Sequence, residues 1–218
     1  LGLATLSCDK RGVAQSGGVY PGGFPGVPAV DQYARDVEAQ VRFLAGLPEV
    51  DPARIGIAGA SQAGWIMPLA ASREPAIRFM IGIVAPTLTQ GQTDHWANLN
   101  AQGQAPPTRT DEDMEAEVRA TAPSGVDPIP AIRAMRVPAI WLFGGKDRIV
   151  PSRVCVDRLD PVAREPGRDF TYHVFPGGTH GLLFTANGLN DEQAQSSRFV
   201  EGYFRTIRDW LAARGFTG

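Results

Sequence analysis

Ile55-Gly56-Ile57-Ala58-Gly59-Ala60-Ser61-Gln62-Ala63-Gly64 is an apolar run that breaks into a serine flanked by small residues, and the helix-like Trp65-Ile66-Met67-Pro68-Leu69-Ala70 follows at once. A strand that turns sharply into a helix holds a serine hydroxyl clear of the backbone, as a nucleophile elbow does. Such a turn needs small residues on both sides, because it brings backbone segments closer than a Cβ permits. Gly59 and Gly64 meet that need. The short form is Gly-x-Ser-x-Gly; here Ala63 takes the last place and Gly64 comes one residue late. In a chain with 25 glycines an ordinary turn competes with this reading, so what lies downstream decides.

Pro138-Ala139-Ile140-Trp141-Leu142-Phe143-Gly144 reads as a buried strand and runs into Gly145-Lys146-Asp147, which sets a carboxylate just past a strand end. Phe170-Thr171-Tyr172-His173-Val174-Phe175 reads as another strand, followed by Pro176-Gly177-Gly178-Thr179-His180-Gly181. Ser61, Asp147 and His180 thus fall, in that chain order, on loops at one edge of a parallel sheet. Taken singly, Asp147 also reads as a turn former or as an ion-pair partner of Lys146 and Arg148, and His180 as a polar loop residue. Of the three histidines, His95 lies in a polar stretch and His173 within a strand, which leaves His180 best placed as a general base.

With these residues the chain resembles the α/β-hydrolase superfamily, and more narrowly its esterase and serine-aminopeptidase-like members. Cys8-Asp9-Lys10-Arg11-Gly12-Val13-Ala14-Gln15-Ser16 resembles the family's Asp-x-Arg-Gly-x-Gly-x-Ser segment, with Ala14 in place of one glycine. Residues 54–64 match the fifth strand and elbow, 144–151 the acid loop, and 178–181 the histidine loop. The resemblance implies an α/β fold, a mostly parallel sheet flanked by helices, with Ser61 as nucleophile, His180 as base and Asp147 as the acid that orients it. It also implies an oxyanion hole of two backbone N–H groups, the first supplied by Gln62 and the second by a loop after the family's third strand.

If Leu3 to Cys8 is the family's fourth strand, the chain starts without the first three strands, and it reads as the carboxyl-terminal two-thirds of a longer hydrolase. The second oxyanion donor would then be missing, a loss worth on the order of a hundred- to a thousandfold in turnover. The third strand of the family lies between the fourth and fifth, so its absence leaves unpaired edges inside the sheet.

The 218 residues are compatible with a single catalytic domain, residues 1–218, and 43% hydrophobic content is ordinary for a soluble enzyme. A formal net charge of −2 argues against a nucleic-acid partner. No stretch approaches the roughly 20 apolar residues of a membrane span. Cys8 and Cys155 are too few for a disulfide framework or a cysteine zinc site, and are expected to be free packed thiols.

Val30, Tyr33, Val37, Val41 and Leu44 recur at helical spacing, so Asp31 to Leu47 reads as an amphipathic helix whose charged face, with Asp36, Glu38 and Arg42, is simply solvated. Phe79 to Val84 reads as a strand. Phe199, Val200, Tyr203, Phe204, Ile207, Trp210 and Leu211 form the core stripe of a last helix stopped near Gly215. Between Pro86 and Val126 the chain turns polar and irregular, with a short acidic helix from Asp111 to Ala120 capped by Thr110. About 40 residues of this kind are unusual in a compact domain unless they serve a site. The resemblance implies a cap or lid at about 87–126, and Trp96, Leu99 and Met114, its few large apolar groups, are expected to line an acyl or alcohol pocket.

The chemistry expected is carboxylic-ester hydrolysis through a serine acyl-enzyme, on a small-molecule acyl substrate and without a metal or organic cofactor. A serine nucleophile argues against the dehalogenase relatives, which use aspartate, and the dienelactone-hydrolase relatives, which use cysteine. Peptide or thioester hydrolysis on the same fold, or a non-catalytic domain or inactive fragment of it, are the alternatives.

Overall fold

A computed structural model describes residues 2–22 and 26–217. Four parallel strands form one sheet in sequence order: β1 (Gly56–Ala60), β2 (Phe79–Ile83), β3 (Ala139–Gly144) and β4 (Phe170–Phe175). The helices are α1 (Val27–Ala45), α2 (Ala63–Arg73), α3 (Gln90–Leu99), α4 (Asp111–Ala120), α5 (Ile129–Ala134), α6 (Ser152–Ala163), α7 (Asn190–Gln195) and α8 (Tyr203–Ala212).

The two-residue period of the strands divides their side chains between two cores. Ile57, Met80, Trp141 and Phe143 point to one face, where they meet residues of α1, α2, α5 and α6. Phe79, Ile81, Ile140 and Leu142 point to the other, against Tyr203, Ile207, Trp210 and Leu211 of α8. Every residue of β3 is therefore buried, which is why that strand reads as an unbroken apolar run.

Several expectations need correction. Leu3 to Cys8 is not a strand: it lies exposed, and β1 is an edge of the described sheet. Cys8 is exposed, and only Cys155 is packed. The charged face of α1 is paired as well as solvated. Arg11 grips Asp36 through two nitrogens, and Arg42 donates to the buried Glu74 at 2.6 Å. Phe199 and Phe204 are exposed, at 42% and 53%, so the stripe of the last helix narrows to Tyr203, Ile207, Trp210 and Leu211, with Val200 buried just ahead of it.

The polar excursion holds one helix more than the sequence announces. α3 is capped by the Thr89 side chain, as α4 is by Thr110. Its buried side is largely polar and satisfied internally, with Gln92 Nε2 donating to the carbonyls of Val118 and Thr121. Such a helix has no apolar stripe to read.

Candidate active site

The three loops that carry Ser61, Asp147 and His180 all leave carboxyl ends of strands: β1, β3 and β4. Ser61 turns the chain from β1 into α2 with φ of 52°, a left-handed conformation that a non-glycine residue rarely adopts. The turn is held by Ser61 N–H donating to Ile83 O at 2.9 Å and Gly64 N–H donating to Ser61 O at 2.8 Å. A Cβ on Gly59 would stand 2.7 Å from Ala63 Cβ, and one on Gly64 would stand 2.6 Å from the backbone nitrogen of Pro86. The late glycine therefore has its own reason, which is room for the chain after β2.

The acid and histidine loops are tied to each other through their backbones. Gly145 N–H donates to Phe175 O at 2.7 Å and Lys146 N–H to Gly178 O at 2.8 Å. Between them, Asp147 Oδ2 and His180 Nδ1 lie 2.9 Å apart, and His180 Nε2 lies 2.9 Å from Ser61 Oγ. A carboxylate only accepts, so it fixes the proton on Nδ1 and leaves Nε2 free to accept from the serine hydroxyl. The other carboxylate oxygen, Asp147 Oδ1, accepts from the N–H groups of Ile149 and Val150, both at 2.8 Å. The Asp147 side chain is wholly buried, whereas the His180 side chain is 23% exposed. Burial by itself pulls the His180 pKa down; the Asp147 charge and hydrogen bond outweigh it, and the net shift is upward.

His95 and His173 stand apart from this group. His95 Nε2 lies 2.8 Å from Glu117 Oε1, and His173 is exposed on β4 beside Phe175. Ser61 borders a cavity of about 340 Å³, whose walls include Lys10, Gln62, Trp65, Pro86, Asp94 and Val150. Trp96, Leu99 and Met114 do not line it. Trp96 and Met114 are buried in the core and Leu99 packs against that core, because the turn of α3 that faces the cavity is instead Thr93, Asp94 and Ala97. Trp96 has a different position in the site: its indole N–H donates to the carbonyl of Asp147 at 3.1 Å.

Sequence reasoning did not single out Asp94 or Lys10 as wall residues. Lys10 sits inside the Asp-x-Arg-Gly segment, where its neighbours carried the attention; its ammonium donates to Gln62 Oε1 at 2.6 Å and stands 5.5 Å over the Tyr33 ring. Asp94 carries no local signal, since it lies on the helix that the pattern did not reveal. Among the described residues, no group of three or more histidine, cysteine, aspartate or glutamate side chains could hold a metal ion. No helix among them is long and apolar enough to cross a membrane.

The model of the prolyl oligopeptidase family matches residues 29–206. An uncharacterised protein of Mycobacterium tuberculosis is 28% identical over 180 residues, which are 83% of this chain and 54% of that protein. The chain spans about half the length of the curated relatives it matches. The esterase Pf2001 of Pyrococcus furiosus superposes with a TM-score of 0.59 at 15% identity, over 91% of this chain and 65% of its own. Dipeptidyl peptidase 4 of Porphyromonas gingivalis gives 0.51 at 16% identity, over 83% of this chain and 22% of its own. At these identities the structural likeness is one of fold.

Proposed function

The chain belongs to the prolyl oligopeptidase family, and from that premise we propose that it is a serine hydrolase that cleaves carboxylic esters through an acyl-enzyme, with Ser61, His180 and Asp147 as its catalytic triad. The observation that carries this reading is the unbroken relay from Ser61 Oγ through His180 to Asp147, with both hydrogen bonds at 2.9 Å. As the hydroxyl attacks the ester carbonyl, His180 Nε2 takes its proton. Asp147 stabilises the imidazolium that forms, and the same proton then goes to the departing alcohol. Water, deprotonated by His180 in turn, releases the acid and restores the serine. The Gln62 N–H, next to the nucleophile, is the first donor to the developing oxyanion. Residues 87–126 act as a lid, in which α3 borders the Ser61 cavity with Thr93, Asp94 and Ala97 and α4 packs against α3.

The test is the intact mass of the purified chain after exposure to a fluorophosphonate, beside Ser61→Ala and a heat-denatured sample. One adduct on Ser61, absent from both controls, is expected; no adduct on folded chain refutes the reading and leaves a non-catalytic domain. With a para-nitrophenyl ester, Ser61→Ala is expected to lose at least about a thousandfold in turnover. Because the family takes its name from a peptidase, para-nitroanilides run beside the ester decide whether amides are also cleaved.

A further inference from the structure

We propose that Asp94 selects substrates that carry a positive charge, so that the site takes esters bearing an ammonium or quaternary ammonium group on the portion that enters the Ser61 cavity. This deepens the hydrolase reading and rests on it. Three observations carry the inference. Asp94 shares the wall of the cavity of about 340 Å³ with Ser61, a volume near the lower end for small-molecule sites, about 300 Å³. A group seated there therefore shares the cavity with Asp94. Secondly, Asp94 is half-buried and, among the described residues, makes no ion pair or hydrogen bond through its side chain. Other acids of residues 87–126 have basic partners: Glu117 has Arg109 and His95, Asp111 has Arg148, and Glu115 has Arg119. Thirdly, burial raises the Asp94 pKa, which means that its charged form is poorly solvated and would be stabilised by an incoming cation.

Lys10 is the cationic side chain on the same wall. It is exposed, its ammonium is engaged by Gln62 and the Tyr33 ring, and it makes no ion pair with Asp94. Water therefore screens its charge more than that of Asp94. His180 reaches Ser61 with the nitrogen that must be neutral to act as a base, so it adds no charge in the competent state. Of the two charges on this wall, the less solvated one is therefore negative.

Three para-nitrophenyl esters of equal size test this: one whose acyl chain ends in trimethylammonium, its neutral isostere ending in tert-butyl, and an anionic analogue ending in sulfonate. The readout is the ratio of kcat/KM between cationic and neutral esters, in which effects common to both cancel. The wild-type chain is expected to favour the cation and disfavour the anion. In Asp94→Asn the cationic preference is expected to fall on the order of tenfold, and in Asp94→Glu to persist. Turnover of both esters with a ratio unchanged by Asp94→Asn, or preference for the anion, overturns the inference and leaves the hydrolase reading standing. Absence of both ester turnover and Ser61 labelling overturns the hydrolase reading, and this inference with it.

Discussion

At the scale of single residues, His180 decides how the proposed reaction depends on pH. Its pKa is raised above the ordinary 6.5 even though burial opposes this, because Asp147 supplies both a charge and a hydrogen bond. The acid limb of kcat/KM, which reports the free enzyme, is expected to have its midpoint above 6.5. Asp147→Asn removes what raises the pKa and leaves burial, so the limb moves to lower pH while turnover falls about ten-thousandfold. A pH–rate profile of the two proteins checks both. Stability runs the opposite way. A raised folded-state pKa gives stabilisation that is complete below the unfolded value and lost as pH rises through the folded one. Denaturant midpoints for the wild-type chain are thus expected to lose this part where activity appears. A second residue-scale prediction concerns Ala14, which stands where the family segment has glycine and adopts φ of 49°. Ala14→Gly relieves a left-handed alanine and is expected to raise stability by about 1 kcal/mol, read from urea unfolding.

At the scale of elements, the polar excursion is fastened to the acid loop. The Trp96 indole holds the Asp147 carbonyl, and Arg148, 12% exposed on its side chain, reaches Asp111 on α4 as well as Asn100. Trp96→Phe keeps most of the packing but drops the bond to the loop. It is expected to lower kcat for an ester about tenfold by loosening Asp147, with Ser61 labelling slowed and the fold intact by circular dichroism. Thr110→Ala removes the cap of α4, which has three acids in its first turn, and is expected to destabilise by about 1 kcal/mol. Legibility in the sequence differed by element for physical reasons. β3 and β4 were readable because β3 is apolar on both faces and the following glycines mark the loops. α4 was readable because a threonine precedes three acids. α3 was not, since its buried face carries Gln92 and Thr93 and is satisfied by hydrogen bonds that no hydropathy pattern encodes. Trp96 on α3 and Met114 on α4 are taken up by the core and Leu99 packs against it, so the cavity wall falls to Thr93, Asp94 and Ala97, a division that apolarity alone does not predict.

At the scale of the whole molecule, the sheet has a well-protected interior and a weak margin. Among the described residues, β2 and β3 are paired on both sides, whereas β1 is bonded to β2 alone, and residues 2–22 hold no helix or strand. Amide hydrogen exchange is expected to be slowest in β3 and fastest in residues 2–22, with β1 in between; equal protection of β1 and β3 would contradict this ordering. The position of Ser61, Asp147 and His180 was legible at this scale because the loops of a parallel sheet gather at one edge. The course of residues 3–8 was not, because a strand needs a neighbour as well as a pattern.

The bond between His180 and Ser61 joins residues 119 apart in sequence. During synthesis the serine leaves the ribosome long before the histidine does, and its elbow can form with β2 while nothing yet stands beside its hydroxyl. A ribosome-bound chain therefore carries an inert alcohol at position 61 until β4 has been made and has zipped onto β3. Covalent labelling of nascent chains of increasing length would accordingly switch on in one step, as a clock for the arrival of β4 and the loop behind it.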